Sequence, residues 1–189
     1  MACTTITKGR GLDCSRSAGG VKNIYLMVFD TTTLSYTGGS VMEISDIEAG
    51  TNDIYKYALP RGTASVTETI VGDTTAGSIY YTPACTMQLN KLTKADQNEV
   101  RLLAQSKLLV FAELNQTLAN GHNVILCLGA INGMRLNAGT DVSGAAWGDR
   151  NGYEWTFDGM EEDPMSMVAD YTTTPFDNAG FTYGTIVTS

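Results

Sequence analysis

The sequence predicts a mainly β chain: a β-sandwich or partly closed β-barrel with one flanking α-helix at about residues 93–107. Three observations lead there. The apolar stretches are short, rich in Val, Ile, Thr and Tyr, and punctuated by Gly, Pro, Asn and Asp, which is the chemistry of strands and turns. One stretch alone, "LTKADQNEVRLLAQSK", shifts to a helical period. The resulting order, many strands, one helix, then more strands, suits a layered β fold rather than alternating β–α units.

Taken in order, Gly19-Gly20 lead into "VKNIYLMVFD" (21–30), a strand apolar enough to lie in a core. "TTLSYTGGSVMEI" reads as strand, break at Gly38-Gly39, and strand. "DIYKYAL" (53–59) alternates and stops at Pro60, and "ASVTETIV" (64–71) ends at Gly72-Asp73. "SIYYTPACTMQLNKL" (78–92) is one long strand in which Pro83, lacking an N–H, marks an edge or a bulge. Thr93 then caps the helix, with Asp96 three residues on as in a capping box. Ala95, Leu102, Leu103 and Ser106 share its apolar face, with Val100 at the border. Glu99 interrupts that stripe; it either meets a partner at a helix–sheet or subunit contact or bends out to water. "LLVFAEL" (108–114) and "HNVILCLGA" (122–130) flank Asn120-Gly121 and pair as a hairpin. "GMRLNAG" (133–139) leads through a Gly/Ser-rich link to "GDRNGYEWTFDGMEEDP" (148–164). In that last stretch Tyr153, Trp155 and Phe157 point one way and Glu154, Thr156 and Asp158 the other. This organises the chain as a single β-rich domain over 1–168, followed by 169–189 as an extended arm or a partly disordered tail.

Composition narrows the function. Of 189 residues, 43% are hydrophobic and 17% charged, below the roughly one quarter usual for a free-standing globular chain. A surface so poor in charge suits a homo-oligomer covered by its own copies. The net charge is −8 and no Lys/Arg run occurs, so there is no footprint for gripping nucleic acid. No secretory leader precedes the first strand and no apolar run can span a bilayer, which points to a soluble chain made in the cytoplasm. Cys3, Cys14, Cys85 and Cys127 contain no CxxC pair and read as free, mostly buried thiols. A Cys3–Cys14 disulfide would require export from the cell.

Catalytic readings find little. His122 is the sole histidine, beside an Asn-Gly turn, and Cys127 five residues on should face the opposite side of the strand. Nucleotide-binding, zinc-protease and serine-hydrolase motifs are absent. The acids Asp158, Glu161, Glu162 and Asp163 are adjacent, whereas a glycosidase needs carboxyls across a cleft and a calcium site needs converging oxygens. The stretch is therefore a structural hairpin whose acids form a charged rim or an inter-subunit contact. The chain is read as no enzyme, with no catalytic, cofactor or metal residues.

Three segments carry a resemblance: "CTTITKGRGLDCSRSAGGVKNIYLMVFD", "TMQLNKLTKADQNEVRLLAQSKLLVFAEL" and "GDRNGYEWTFDGMEEDP". Over residues 1–168 the chain resembles the tail tube proteins of tailed bacteriophages, whose fold is related to the tubes of contractile injection systems. The resemblance implies a β-sandwich or barrel with one helix, assembled into hexameric rings that stack into a conduit for double-stranded DNA. It implies a virion location in the tail, after synthesis in the host cytoplasm. The partners would be further copies of the chain, tail proteins such as terminator, baseplate or tape measure, and DNA passing without specific binding. No membrane is involved. It transfers no individual functional residue; the Gly38-Gly39 region, the 139–152 linker and the termini are the expected assembly surfaces. Rival readings are another virion part (terminator, connector or decoration protein), a monomeric ligand-binding barrel with a pocket lined by Tyr25 and Trp155, and a hydrolase using the acidic loop.

Overall fold

In the computed structural model, which describes residues 9–12, 17–39, 42–73, 75 and 77–188, the strands form two open sheets. In chain order they are β1 (Val21–Val28), β2 (Thr33–Tyr36), β3 (Glu43–Glu48), β4 (Ile54–Ala58), β5 (Ala64–Asp73) and β6 (Ser78–Asn90). After the helix α1 (Lys94–Leu103) come β7 (Leu108–Thr117), β8 (Asn123–Leu128), β9 (Arg135–Val142), β10 (Gly152–Asp158), β11 (Ser166–Val168) and β12 (Ile186–Val187). The eight-stranded sheet runs β12-β4-β1-β7-β8-β11-β3-β2 and the four-stranded sheet β5-β6-β10-β9. Neither closes, so the expected alternatives resolve to a sandwich with one flanking helix. Cys3 and Cys14, and with them the expected disulfide question, lie outside the described residues. Cys85 and Cys127 are free and buried; burial pushes the Cys85 thiol up to about 12 and the Cys127 thiol higher still, so both stay protonated and inert.

The continuous apolar run of β1 has a simple cause: both faces of its sheet are covered. Ile24 and Leu26 point into a core shared with the four-stranded sheet, against Cys85, Met87, Trp155 and Phe157. Tyr25 and Met27 point into a second core with Phe111, Ile44, Ile47 and Phe176. Because Tyr25 and Trp155 belong to different cores, the pocket they were expected to share does not exist.

Residues 169–188, expected as an arm or a disordered tail, lie against their own chain. Tyr171 and Phe176 are buried in the second core, and Phe181 and Tyr183 pack at its border. Backbone bonds join Thr182 N to Ile47 O (2.8 Å) and Ile54 N to Thr185 O (2.9 Å), and β12 pairs parallel with β4. The Asp177 carboxylate accepts the N–H groups of Thr172, Thr173 and Thr174, which folds "YTTTPFD" into a fixed turn. The physical reason is the far face of the eight-stranded sheet, which is apolar and needs a cover.

The helix begins as expected: the Thr93 side chain accepts from Asp96 N at 3.0 Å and donates to the Asp96 carboxylate. It stops at Leu103 rather than about 107. Ala104 ends the helix, and the chain must turn at once so that Lys107 can lie over the Phe29 ring (4.0 Å) and Leu108 can enter β7. Val100 and Leu103 carry its contact with the core, while Leu102 is 57% exposed, so the apolar face is narrower than the sequence stripe. Glu99 is half-buried beside Tyr57 in the groove between helix and β4, without a hydrogen-bond partner among the described residues.

Pro83 lies on β6, an inner strand, yet its position obeys the missing N–H. Glu161 and Tyr81 exchange two backbone bonds of 2.8 Å, and Gly159 N donates to Pro83 O at 3.2 Å. Pro83 thus sits just past the end of β10, where no return bond is required.

The stretch from 148 to 164 is structural, as expected, but it supplies only one strand of a hairpin, β10, whose partner β9 lies before it in the chain. β10 pairs with β9 on one side and β6 on the other, Gly152 opposite Asn90 and Asp158 opposite Ala84. Gly152 is required here: a Cβ would run into the Leu89 carbonyl and come within 3.0 Å of Asn90 Cα. Gly152→Ala is expected to lower stability by about 1–3 kcal/mol through overpacking, measured by urea denaturation with Gly148→Ala, where a Cβ meets nothing, as the neutral control.

Candidate assembly surface

The four-stranded sheet has one face in the core and one in solvent. Alternation from Trp155 and Met87 inward puts Thr86, Gln88, Thr156 and Glu154 outward. On β5 the same face carries Ser65, Thr67 and Thr69; on β9 it carries Ala138 and Thr140. Side-chain bonds lace it together: Thr86 Oγ1 to Thr156 Oγ1 at 3.2 Å, and Gln88 Nε2 donating to Glu154 Oε2 at 3.1 Å. Two arginines reach the face near its ends, each matched to an acid. Arg150 Nη2 donates to Glu154 at 3.0 Å, and Arg135 stands opposite Asp158 in the β9–β10 register. The surface is thus small, polar, rich in threonine and without an excess of cation.

Both edges of this sheet are open. Among the described residues β5 pairs only with β6, and β9 only with β10. Unpaired strand edges present backbone N–H and C=O groups that another chain can take up. The segment 139–152, expected as a linker, is partly strand: β9 runs to Val142, and the loop proper is 143–151. The Gly38-Gly39 region joins β2 to β3 at the edge of the other sheet, with Gly38 at φ 61°.

Register also gives the sheet two unlike ends. One end gathers the β4–β5 turn, the start of α1 and the 143–151 loop, since Asn90 pairs with Gly152 and Met87 with Ala64. There the Asp149 carboxylate accepts Ala145 N (2.9 Å) and Ala146 N (2.8 Å), bonds that hold it below the usual carboxylate range. Asn151 ties the loop to Lys91 N and Leu92 N. Trp147, at the loop tip, is fully exposed. At the opposite end the β5–β6 hairpin overhangs the core, leaving Ile70 and Ile79 each 65% exposed, with Met160 exposed nearby.

The acids Asp158, Glu161, Glu162 and Asp163 do not converge. Asp158 is on the outer face, accepting from Asn137 Nδ2, and Glu162 points to solvent. Glu161 is a correction to the rim reading: it is buried, and its carboxylate accepts Ile131 N (2.8 Å) and Asn132 N (3.0 Å). It thereby fastens the β8–β9 loop to the segment that leaves β10. Burial pushes its pKa up, against those backbone bonds. The cavity beside it, bordered by Asp163, Tyr36 and Cys127, is about 10 Å³, room for one water at most. Among the described residues no three His, Cys, Asp or Glu side chains form a metal-holding group. His122 stacks on Tyr171 (4.4 Å between centroids) with Nδ1 2.7 Å from Asp170 Oδ1, while Cys127 is in the second core; the pair diverges as expected.

The exposed tryptophan and the overhanging isoleucines are the surface features that sequence reasoning passed over. Their only sequence signal is apolar residues where the strand period or a turn calls for polar ones.

No family model matches this chain, and no curated protein matches it. Among solved structures, it is similar to a chain of the anti-feeding prophage baseplate (a cryo-EM structure, 6-fold symmetrised) at 10% identity and a TM-score of 0.40. The overlap covers 81% of this chain and 96% of that one. So loose an overlap leaves function to be argued from the chain's own surfaces. Among the described residues no helix is long and apolar enough to cross a membrane.

Proposed function

We propose that this chain is a structural subunit of a phage-type tail tube, assembling into rings that stack around a conduit for double-stranded DNA. The observation that carries the reading is the four-stranded sheet with two open edges and a threonine-rich outer face. Joining β5 of one copy to β9 of the next continues the sheet around a closed ring and satisfies both edges at once. The face left toward the lumen then offers hydroxyls and two arginines, Arg150 paired with Glu154 and Arg135 set opposite Asp158, so it presents phosphates with no excess of cation. The resemblance of residues 1–168 to tail tube proteins and the low charged fraction, 17%, support the same reading. No part of this requires catalysis, a cofactor or a metal. The rival virion roles predict a single ring or scattered copies instead of stacks.

Negative-stain electron microscopy of the purified chain across a range of concentrations, with light scattering, tests this. Rings or tubes with a channel about as wide as a DNA duplex are expected; a monomer at every concentration overturns it. The lumen assignment has its own test. Thr67 and Thr140 are exposed on the outer face. The Thr67→Lys variant, which leaves Thr140 across the β5–β9 seam uncharged, is expected to assemble as before but to retain linear duplex DNA at low salt and release it as salt rises, whereas the unmodified rings retain none. Equal retention by both would place this face outside the channel.

A further inference from the structure

We infer that copies of this chain join head to tail along the strand direction of the four-stranded sheet, the Trp147–Leu92 end of one copy seating on the Ile70–Ile79–Met160 end of the next. This rests on the ring-and-stack reading above and names its axial contact.

The first argument is the distribution of exposed apolar surface. On this sheet it is concentrated at the two ends, while the outer face between them is threonine. Trp147 is 108% exposed and Leu92 40% at one end; Ile70, Ile79 and Met160 are 65%, 65% and 68% exposed at the other. A fully exposed tryptophan is the residue type that anchors interfaces. Its loop is already ordered by the Asp149 carboxylate and by Asn151, so docking sacrifices little loop freedom. At the far end, Gly72 leaves space beside Ile79, and Gly72, Asp73, Gly77, Ser78 and Ile79 border a shallow, open, mostly apolar depression.

The second argument is charge. Arg61, Lys91 and Lys94 are exposed at the Trp147 end, where they balance the carboxylates of Asp96, Asp141 and Asp149. Asp73, Asp158, Glu162 and Asp163 gather at the hairpin end, with Arg135 as the facing cation. The hairpin end is acidic and repels its own copy, while the Trp147 end carries exposed cations to meet it, so a heterologous contact is favoured over a two-fold contact of the hairpin end with itself. Heterologous contacts that do not close run on as open stacks, and the partner of this surface is therefore a second copy of the chain.

The test uses two single variants at exposed positions, Trp147→Asp and Ile79→Asp, each checked for folding by circular dichroism and melting temperature. Each variant alone is expected to stop at the lateral assembly, a single ring, where the unmodified chain stacks. Each retains one intact end, so an equimolar mixture is expected to double the sedimenting mass, and raising the ionic strength to reverse this. Trp147→Ala, milder in charge, is expected to shorten the stacks. Stacking by either aspartate variant alone, or a mixture that sediments no faster than its components, overturns the inference. The ring reading fails separately. If the unmodified chain makes no rings but the two variants form a one-to-one dimer when mixed, the end-to-end contact stands and the ring does not.

Discussion

Phe176→Ala is expected to destabilise the isolated chain by about 3–5 kcal/mol, the range for deleting a fully buried aromatic side chain. Phe176 is 1% exposed and meets Tyr25 (5.0 Å, 73°) and Phe111 (5.3 Å, 79°) edge to face. Tyr25 and Phe111 are cross-strand partners on β1 and β7, so the ring of Phe176 closes over the centre of the eight-stranded sheet. Its backbone is held in place at φ 69° by its neighbours: Tyr183 Oη donates to Phe176 O at 3.1 Å, and Asp177 gathers three N–H groups of the preceding turn. The site therefore cannot collapse easily onto a smaller side chain, which places the loss toward the upper part of that range. Phe176→Leu, which keeps most of the volume, should lose clearly less. The measurement is urea denaturation at several protein concentrations. A loss independent of concentration means that 169–188 is part of each subunit's own fold; a loss seen only in assembled protein would mean that the segment serves a neighbour instead.

That segment also shows where the sequence stops being informative. β1, β5, β6 and β10 were legible because their period and flanking glycines are local, and Thr93 announced the helix for the same reason. The cover supplied by Phe176 and Tyr171 depends on a bare face built from β1, β7 and β8, far away in the chain, so low charge and many turn residues read as an arm. β12 pairs with β4 across 132 positions, as Thr185 N to Asp53 Oδ1 illustrates, and two residues carry no period. The outer face of the four-stranded sheet was partly legible, since Glu154, Thr156 and Asp158 alternate with three aromatics. The exposure of Trp147 was not, because a tryptophan in a Gly/Ser-rich loop is normally assigned to a core. Leu102 erred the other way: a helix packed on only one side buries a narrower stripe than its apolar residues suggest.

Two buried glutamates are expected to respond to pH with opposite signs. Glu113, 2% exposed, is held by Lys22 Nζ (2.8 Å), Asn23 Nδ2 (2.6 Å) and Tyr25 Oη (2.8 Å). Burial alone would push its pKa up, but these three donors outweigh burial and bring it below the ordinary 4.5. A depressed folded pKa means stability that is present above 4.5 and lost as pH falls through the folded value. Glu161 has the reverse balance: burial outweighs the Ile131 and Asn132 N–H groups, and its pKa lies above 4.5. Its ionisation therefore costs stability, a cost absent in acid and incurred as pH rises through the raised value. Glu113→Ala, which leaves the buried Asn23 amide and Tyr25 hydroxyl without their acceptor while Lys22 stays in solvent, should lose about 1–3 kcal/mol at neutral pH. The paired Glu→Gln variants isolate the sign. Measured as unfolding free energy against pH, the deficit of Glu113→Gln relative to the unmodified chain should shrink as pH falls below 4.5. The deficit of Glu161→Gln should instead shrink as pH rises, because its amide carbonyl can still accept an N–H and carries no charge to bury. Parallel pH profiles for the two variants would mean that the donors around Glu113 do not outweigh its burial, and would remove the electrostatic distinction between these sites.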